Sequence, residues 1–137
     1  MRISGGILRG RVVPGKVRSG VRPTSSRVRE ALFSMVGQDL TGVTVLDAFG
    51  GSGLLSFEAY SRGATVTTVE RHRATARQIQ EAAQSLGANI DLRMDDARNV
   101  LSSGSWDVVL MDPPYKDDPI EWAAAAASAT ERRASSS

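Results

Sequence analysis

From Val43 onward, short apolar runs alternate with stretches whose apolar residues recur at helical spacing. Four runs read as strands: Val43–Asp47, Thr65–Glu70, Ile90–Met94 and Asp107–Met111. Between them the pattern predicts helices over 53–62 and 73–86, with Gly63 and Gly87 placed to end them. Ala76, Ile79, Ala83 and Leu86 line one face of the second. Upstream, "TSSRVREALFSMV" (24–36) also reads as a helix. Thr24, Ser25 and Ser26 offer N-caps, Val28, Ala31, Leu32 and Met35 fall on one face, and Gly37 is the stop. Ile3–Val13 has two β-prone pieces around glycines, a hairpin or an extended arm, and 14–23 is a Gly/Pro-rich basic loop. Strands alternating with amphipathic helices imply right-handed crossovers, and so a three-layer α/β/α fold on a mostly parallel sheet. Ligands of such sheets bind beyond the carboxyl ends of the strands.

The chain of 137 residues then divides into a basic arm (1–23), a domain (24–120) and an alanine- and serine-rich low-complexity tail (121–137). Residues 1–36 carry eight Arg or Lys against Glu30 alone, a net of +7, while the remainder is −5. A basic arm on an acidic body points to a polyanionic partner, or else to a solvated, partly disordered terminus. With no cysteine and a single histidine, His72, neither a disulfide framework nor a transition-metal centre is expected. No apolar run approaches a membrane span or signal-peptide core, which makes the cytoplasm the expected location.

Four stretches carry candidate chemistry. In "VLDAFGGSG" (45–53) Asp47 ends a strand, and Gly51 and Gly53 open the turn into a helix. Glycine there admits a ligand that a β-carbon would block, and the helix start offers N–H groups to an anion; a plain tight connection would read the same way. Glu70 closes the next strand, twenty-three positions after Asp47, where an acid accepts ribose hydroxyls. The alternative is a solvated acid paired with Arg71 or Arg73. In "MDDARNV", Asp95 or Asp96 could take an adenine amino group, Asp96 could cap a short helix over Ala97–Leu101, or it could do both.

The fourth stretch, "DPPY" (112–115), follows the apolar run Val108–Leu110. The lone pair of an exocyclic amine is delocalised into its ring. Two aimed acceptors, the Asp112 carboxylate and the Pro113 carbonyl, would hold the N–H bonds out of plane and localise that pair. Pro113 and Pro114 stiffen the backbone that aims the carbonyl, and Tyr115 offers a face for stacking. A simple turn is the competing account.

"RPTSSRVREALFSMV", "VLDAFGGSGLLSFEAYSRGA", "VERHR" and "VLMDPPY", in that order, resemble the RsmD-type methyltransferases over residues 1 to about 118. The resemblance implies a Rossmann-like fold and transfer of a methyl group from S-adenosyl-L-methionine to the exocyclic N2 of a guanine in 16S ribosomal RNA. It implies a cofactor site of Asp47, Gly51, Gly53, Glu70 and Asp96, catalysis by Asp112, Pro113, Pro114 and Tyr115, and Arg22 and Thr24 near the mouth. Arg9, Arg11, Arg18 and Arg22 would then hold RNA phosphates, with ribosomal RNA or a small-subunit assembly particle as partner. Neither a metal nor a membrane is called for, and a monomer is expected. The family's sheet continues after DPPY, so the chain reads as lacking its C-terminal strands, with the fourth strand left as an aggregation-prone edge. A DNA adenine-N6 methyltransferase and a non-catalytic RNA-binding remnant are the alternatives.

Overall fold

The computed structural model describes residues 2–14 and 26–111. Its elements run α1 (Ser26–Val36), β1 (Thr44–Asp47), α2 (Leu54–Ser61), β2 (Thr65–Val69), α3 (Arg73–Leu86), β3 (Asp91–Arg93), α4 (Ala97–Ser103) and β4 (Val108–Leu110). All pairings are parallel, in the order β3-β2-β1-β4. The strands lie inside their expected runs, each shorter by one or two residues. Gly87 caps α3 in the left-handed conformation, and Ala76, Ile79, Ala83 and Leu86 are buried as their spacing requires.

Side chains alternate across the sheet. Val45 and Val66 face α2, packing with Leu55, Ala59 and Phe33, whereas Leu46 and Val69 face α4, packing with Ala97, Val100, Leu101 and Trp106. The chain steps outward from β1 through β2 to β3, then returns over the other face to place β4 beside β1. That reversal makes the gap between the carboxyl ends of β1 and β4 the topological switch point.

Helix α1 keeps Leu32 partly buried against the core, as expected, but departs from its expected face at Ala31 and Met35. Ala31 is exposed and Met35 is 86% exposed, while Phe33 and Arg29 are buried. The rotation follows the larger energies: Phe33 fills the core beside Leu40 and Val45, and Arg29 Nε reaches Glu58 Oε1 at 3.4 Å. Burying an aromatic ring outweighs exposing a flexible methionine.

The N-terminal segment turns back through an antiparallel Arg2–Val12 bridge. Its Ile3, Leu8 and Val13 are buried among Leu54, Phe57, Ile79 and Leu86. Glu58, fully buried on α2, accepts hydrogen bonds from the Ser4 amide (2.8 Å), the Ser4 hydroxyl (2.7 Å) and the Gly5 amide (3.2 Å), and pairs with Arg62 (3.2 Å) as well as Arg29. One carboxylate thereby joins the arm, α1 and α2.

Candidate active site

The turn after β1 is tied to both neighbouring strand ends. The Ala48 amide donates to Leu110 O (3.1 Å) and the Gly50 amide to Val69 O (2.8 Å). Gly53, at φ 83°, forms the N-cap of α2, and a β-carbon there would meet Phe57 at 2.7 Å. Gly51 differs. It is also left-handed, at φ 55°, but a β-carbon on it would meet only Phe49 O at 4.0 Å. Gly53 is thus needed for packing, while Gly51 borders open space.

Glu70, the residue after β2, lies across this turn. Its Oε1 accepts the Gly51 amide (3.2 Å) and its Oε2 the His72 amide (2.8 Å). These main-chain donors, rather than Arg71 or Arg73, fix its carboxylate; Arg71 instead approaches Asp96 at 3.8 Å. Each oxygen has capacity for a further donor, the arrangement a vicinal diol requires. His72, which stands out in the sequence only as a lone histidine, accepts from the Thr75 amide through a ring nitrogen and caps α3.

Asp96 caps α4, accepting from the Arg98 amide (2.9 Å) and its guanidinium (3.0 Å). The Arg98 side-chain bond holds its carboxyl below the usual carboxylate range, assisted by the charges of Arg98 and Arg71 and opposed by burial. Asp95 accepts from the Asp96 amide and Asn99. Asp47, only 2% exposed, accepts from Ser56 Oγ at 2.7 Å. Asp47, Gly51, Glu70 and Asp96 are thereby gathered at the carboxyl ends of β1, β2 and β3.

The chain as a whole resembles known proteins in sequence and in fold. The family described as Conserved hypothetical protein 95 matches residues 1–132. The chain belongs to this RsmD-type family. The Ribosomal RNA small subunit methyltransferase D of Escherichia coli K12 is 36% identical over 125 residues, covering 88% of this chain and 63% of the relative. The chain thus spans less than two thirds of that relative's length. Among solved structures, the putative methyltransferase yhhF from Escherichia coli superposes with a TM-score of 0.76 at 38% identity, covering 88% of this chain and 69% of that one. A hypothetical protein from Thermus thermophilus gives 0.82 at 26%, covering 95% and 78%. The Rossmann-like methyltransferase fold expected from the sequence is the fold observed.

Asp112, Pro113, Pro114, Tyr115, Arg18, Arg22 and Thr24 lie outside the described residues. Arg9 is exposed on the arm, and Arg11 donates to Ser85 O in the last turn of α3. Since α3 begins beside Glu70 and has fourteen residues, Arg11 stands about 20 Å along that helix from the Glu70 end. No group of three or more residues fit to hold a metal occurs among the described residues, and no helix there is long and apolar enough to cross a membrane. The residues that sequence reasoning missed, Ser56, Glu58 and Thr68, are all buried. Glu58 had a visible signal, since it is a lone acid inside the apolar run "LLSFEAY".

Proposed function

We propose that this chain carries the cofactor site and amine-holding motif of an S-adenosyl-L-methionine-dependent enzyme that methylates the exocyclic N2 of a guanine in 16S ribosomal RNA. The observation that carries the reading is the Glu70 carboxylate, laid against the open Gly51 turn at the carboxyl ends of β1 and β2. A nucleoside cofactor fits that donor and acceptor set: Glu70 for the ribose hydroxyls, the Gly51 turn for close approach, Asp47 for the amino-acid end and Asp96 for the adenine side. Relatives named as small-subunit ribosomal RNA methyltransferases support the RNA class.

When bound, the cofactor supplies an electrophilic methyl group; the rest falls to the chain. Asp112 follows Leu110 by two residues, at most about 7 Å of extended backbone, and Leu110 is bonded to the cofactor turn. Asp112 and the Pro113 carbonyl accept the two amine N–H bonds, which localises the nitrogen lone pair, and Tyr115 stacks on the base. The amine needs no strong base before attack, because its proton becomes acidic only as nitrogen gains positive charge. Orientation and fixed dipoles supply the catalysis. Transfer of labelled methyl to 16S ribosomal RNA, naked or in partly assembled small subunits, tests the reading. Label appearing only in DNA adenine would replace it, and RNA binding with no cofactor binding would identify a non-catalytic remnant.

Glu70→Ala should weaken affinity for the cofactor by about 1.5–3 kcal/mol, the worth of hydrogen bonds to a charged acceptor, with a smaller effect on melting temperature. Calorimetry alongside thermal melting checks this, and unchanged affinity would remove Glu70 from the site. For the arm, Arg9, Arg11, Arg18 and Arg22 changed together to glutamine should weaken RNA binding and flatten its salt dependence. The expected loss of log–log slope is about 0.7–0.9 per phosphate contact, with cofactor affinity nearly unchanged. An unaltered slope would place the electrostatic footprint elsewhere.

A further inference from the structure

Behind the cofactor turn lies a row of three buried polar side chains from three elements: Asp47 on β1, Ser56 on α2 and Thr68 on β2, exposed by 2%, 0% and 0%. Asp47 and Thr68 are register partners, and Ser56 is placed against both, 2.7 Å from Asp47 Oδ2 and 2.7 Å from Thr68 Oγ1. A hydroxyl has one proton to give. Since Ser56 spends its proton on the Asp47 carboxylate, the contact with Thr68 requires Thr68 to be the donor. The row therefore has a direction, from Thr68 to Ser56 to Asp47, and each bond polarises the next. An ionised carboxylate so enclosed is held by the hydrogen bonds it accepts. Ser56 holds the carboxylate from the α2 side.

We propose that Ser56, backed by Thr68, is a positioning residue that fixes the rotation of Asp47 so that its rim receives the cationic amino-acid end of the cofactor. The proposal rests on the cofactor reading given above. Ser56 itself touches no ligand; it acts by removing the freedom of Asp47 to turn away.

Two probes separate positioning from general support of the fold. S-adenosylhomocysteine carries the amino-acid end, and 5′-methylthioadenosine has the same nucleoside without it. By calorimetry on the full chain, Ser56→Ala should weaken S-adenosylhomocysteine about five- to tenfold, near the lower end of what losing an outer supporting hydrogen bond costs. It should leave 5′-methylthioadenosine within about twofold, the remaining nucleoside contacts being unaltered. Thr68→Val, which preserves the β-branched shape, should shift the same ligand in the same direction by less, and Thr68→Ser should restore it. Equal weakening of both ligands by Ser56→Ala and Thr68→Val would make the row structural and overturn the proposal. Normal binding of both ligands by both variants would overturn it too. Asp47→Asn serves as the separate control. If it leaves S-adenosylhomocysteine affinity unchanged, the assignment of Asp47 to the cofactor fails and the proposal fails with it; if it weakens binding while Ser56→Ala does not, the proposal alone fails.

Discussion

Asp112→Ala is expected to lower the rate of methyl transfer by about 10²–10³, the usual consequence of deleting one preorganised acceptor, while cofactor affinity stays within a few-fold. The reason is chemical. With one acceptor gone, an N–H bond of the target amine falls back into the ring plane and the nitrogen lone pair returns to conjugation. Tyr115→Ala should cost about 1–3 kcal/mol in binding of the target base through lost stacking, and Tyr115→Phe should keep most activity because the ring face survives. Single-turnover rates with saturating cofactor make the measurement, in this chain and in one extended by the C-terminal portion of a relative. If "DPPY" (112–115) is merely a turn, both alanine variants will fold slightly less well and still methylate. Near-normal turnover by Asp112→Ala would remove the motif from the chemistry.

Glu58→Ala is expected to destabilise the fold by about 3–5 kcal/mol, the range for removing one partner of a buried ion pair. Glu58 is fully buried between Arg29 and Arg62, whose side chains are each only 8% exposed, and it accepts from Ser4 and Gly5 as well. Removing it takes the counter-charge from two guanidinium groups and the acceptor from the Ser4 and Gly5 amides of the arm. On a domain of total stability near 5–15 kcal/mol such a loss is a large fraction. Urea denaturation measures it, and faster proteolysis at residues 2–13 should accompany it. Glu58→Gln should be intermediate, since a neutral acceptor remains for the Ser4 amide. A change below about 1 kcal/mol would mean that both arginines find other partners and that Glu58 is not the joint between arm and body.

Local pattern alone determined much of this protein. Short apolar runs and helical spacing, together with glycines at element ends, located all four strands and α1, α2 and α3 of the described residues to within a few positions, because those signals are carried by neighbours in the chain; the sequence offers α4 only as one alternative for Asp96. The placement of Glu70 beside the glycine turn was legible for a similar reason: a strand-end acid a fixed distance beyond such a turn is a short-range mark. Asp96 was legible as a helix cap, which is what the structure shows it to be. The tertiary structure alone decided the rotation of α1, where apolar spacing favoured Ala31 and Met35 but the buried face is set by Phe33 and by Arg29 meeting Glu58. It alone seated the arm on α2 and α3, with Arg11 turned to Ser85, seventy-four positions away, and it alone put Ser56 between Asp47 and Thr68. Each of these outcomes depends on residues from different elements arriving at one point. Periodicity encodes which side of an element is apolar, but the partner of a buried charge or hydroxyl is chosen only when the layers pack.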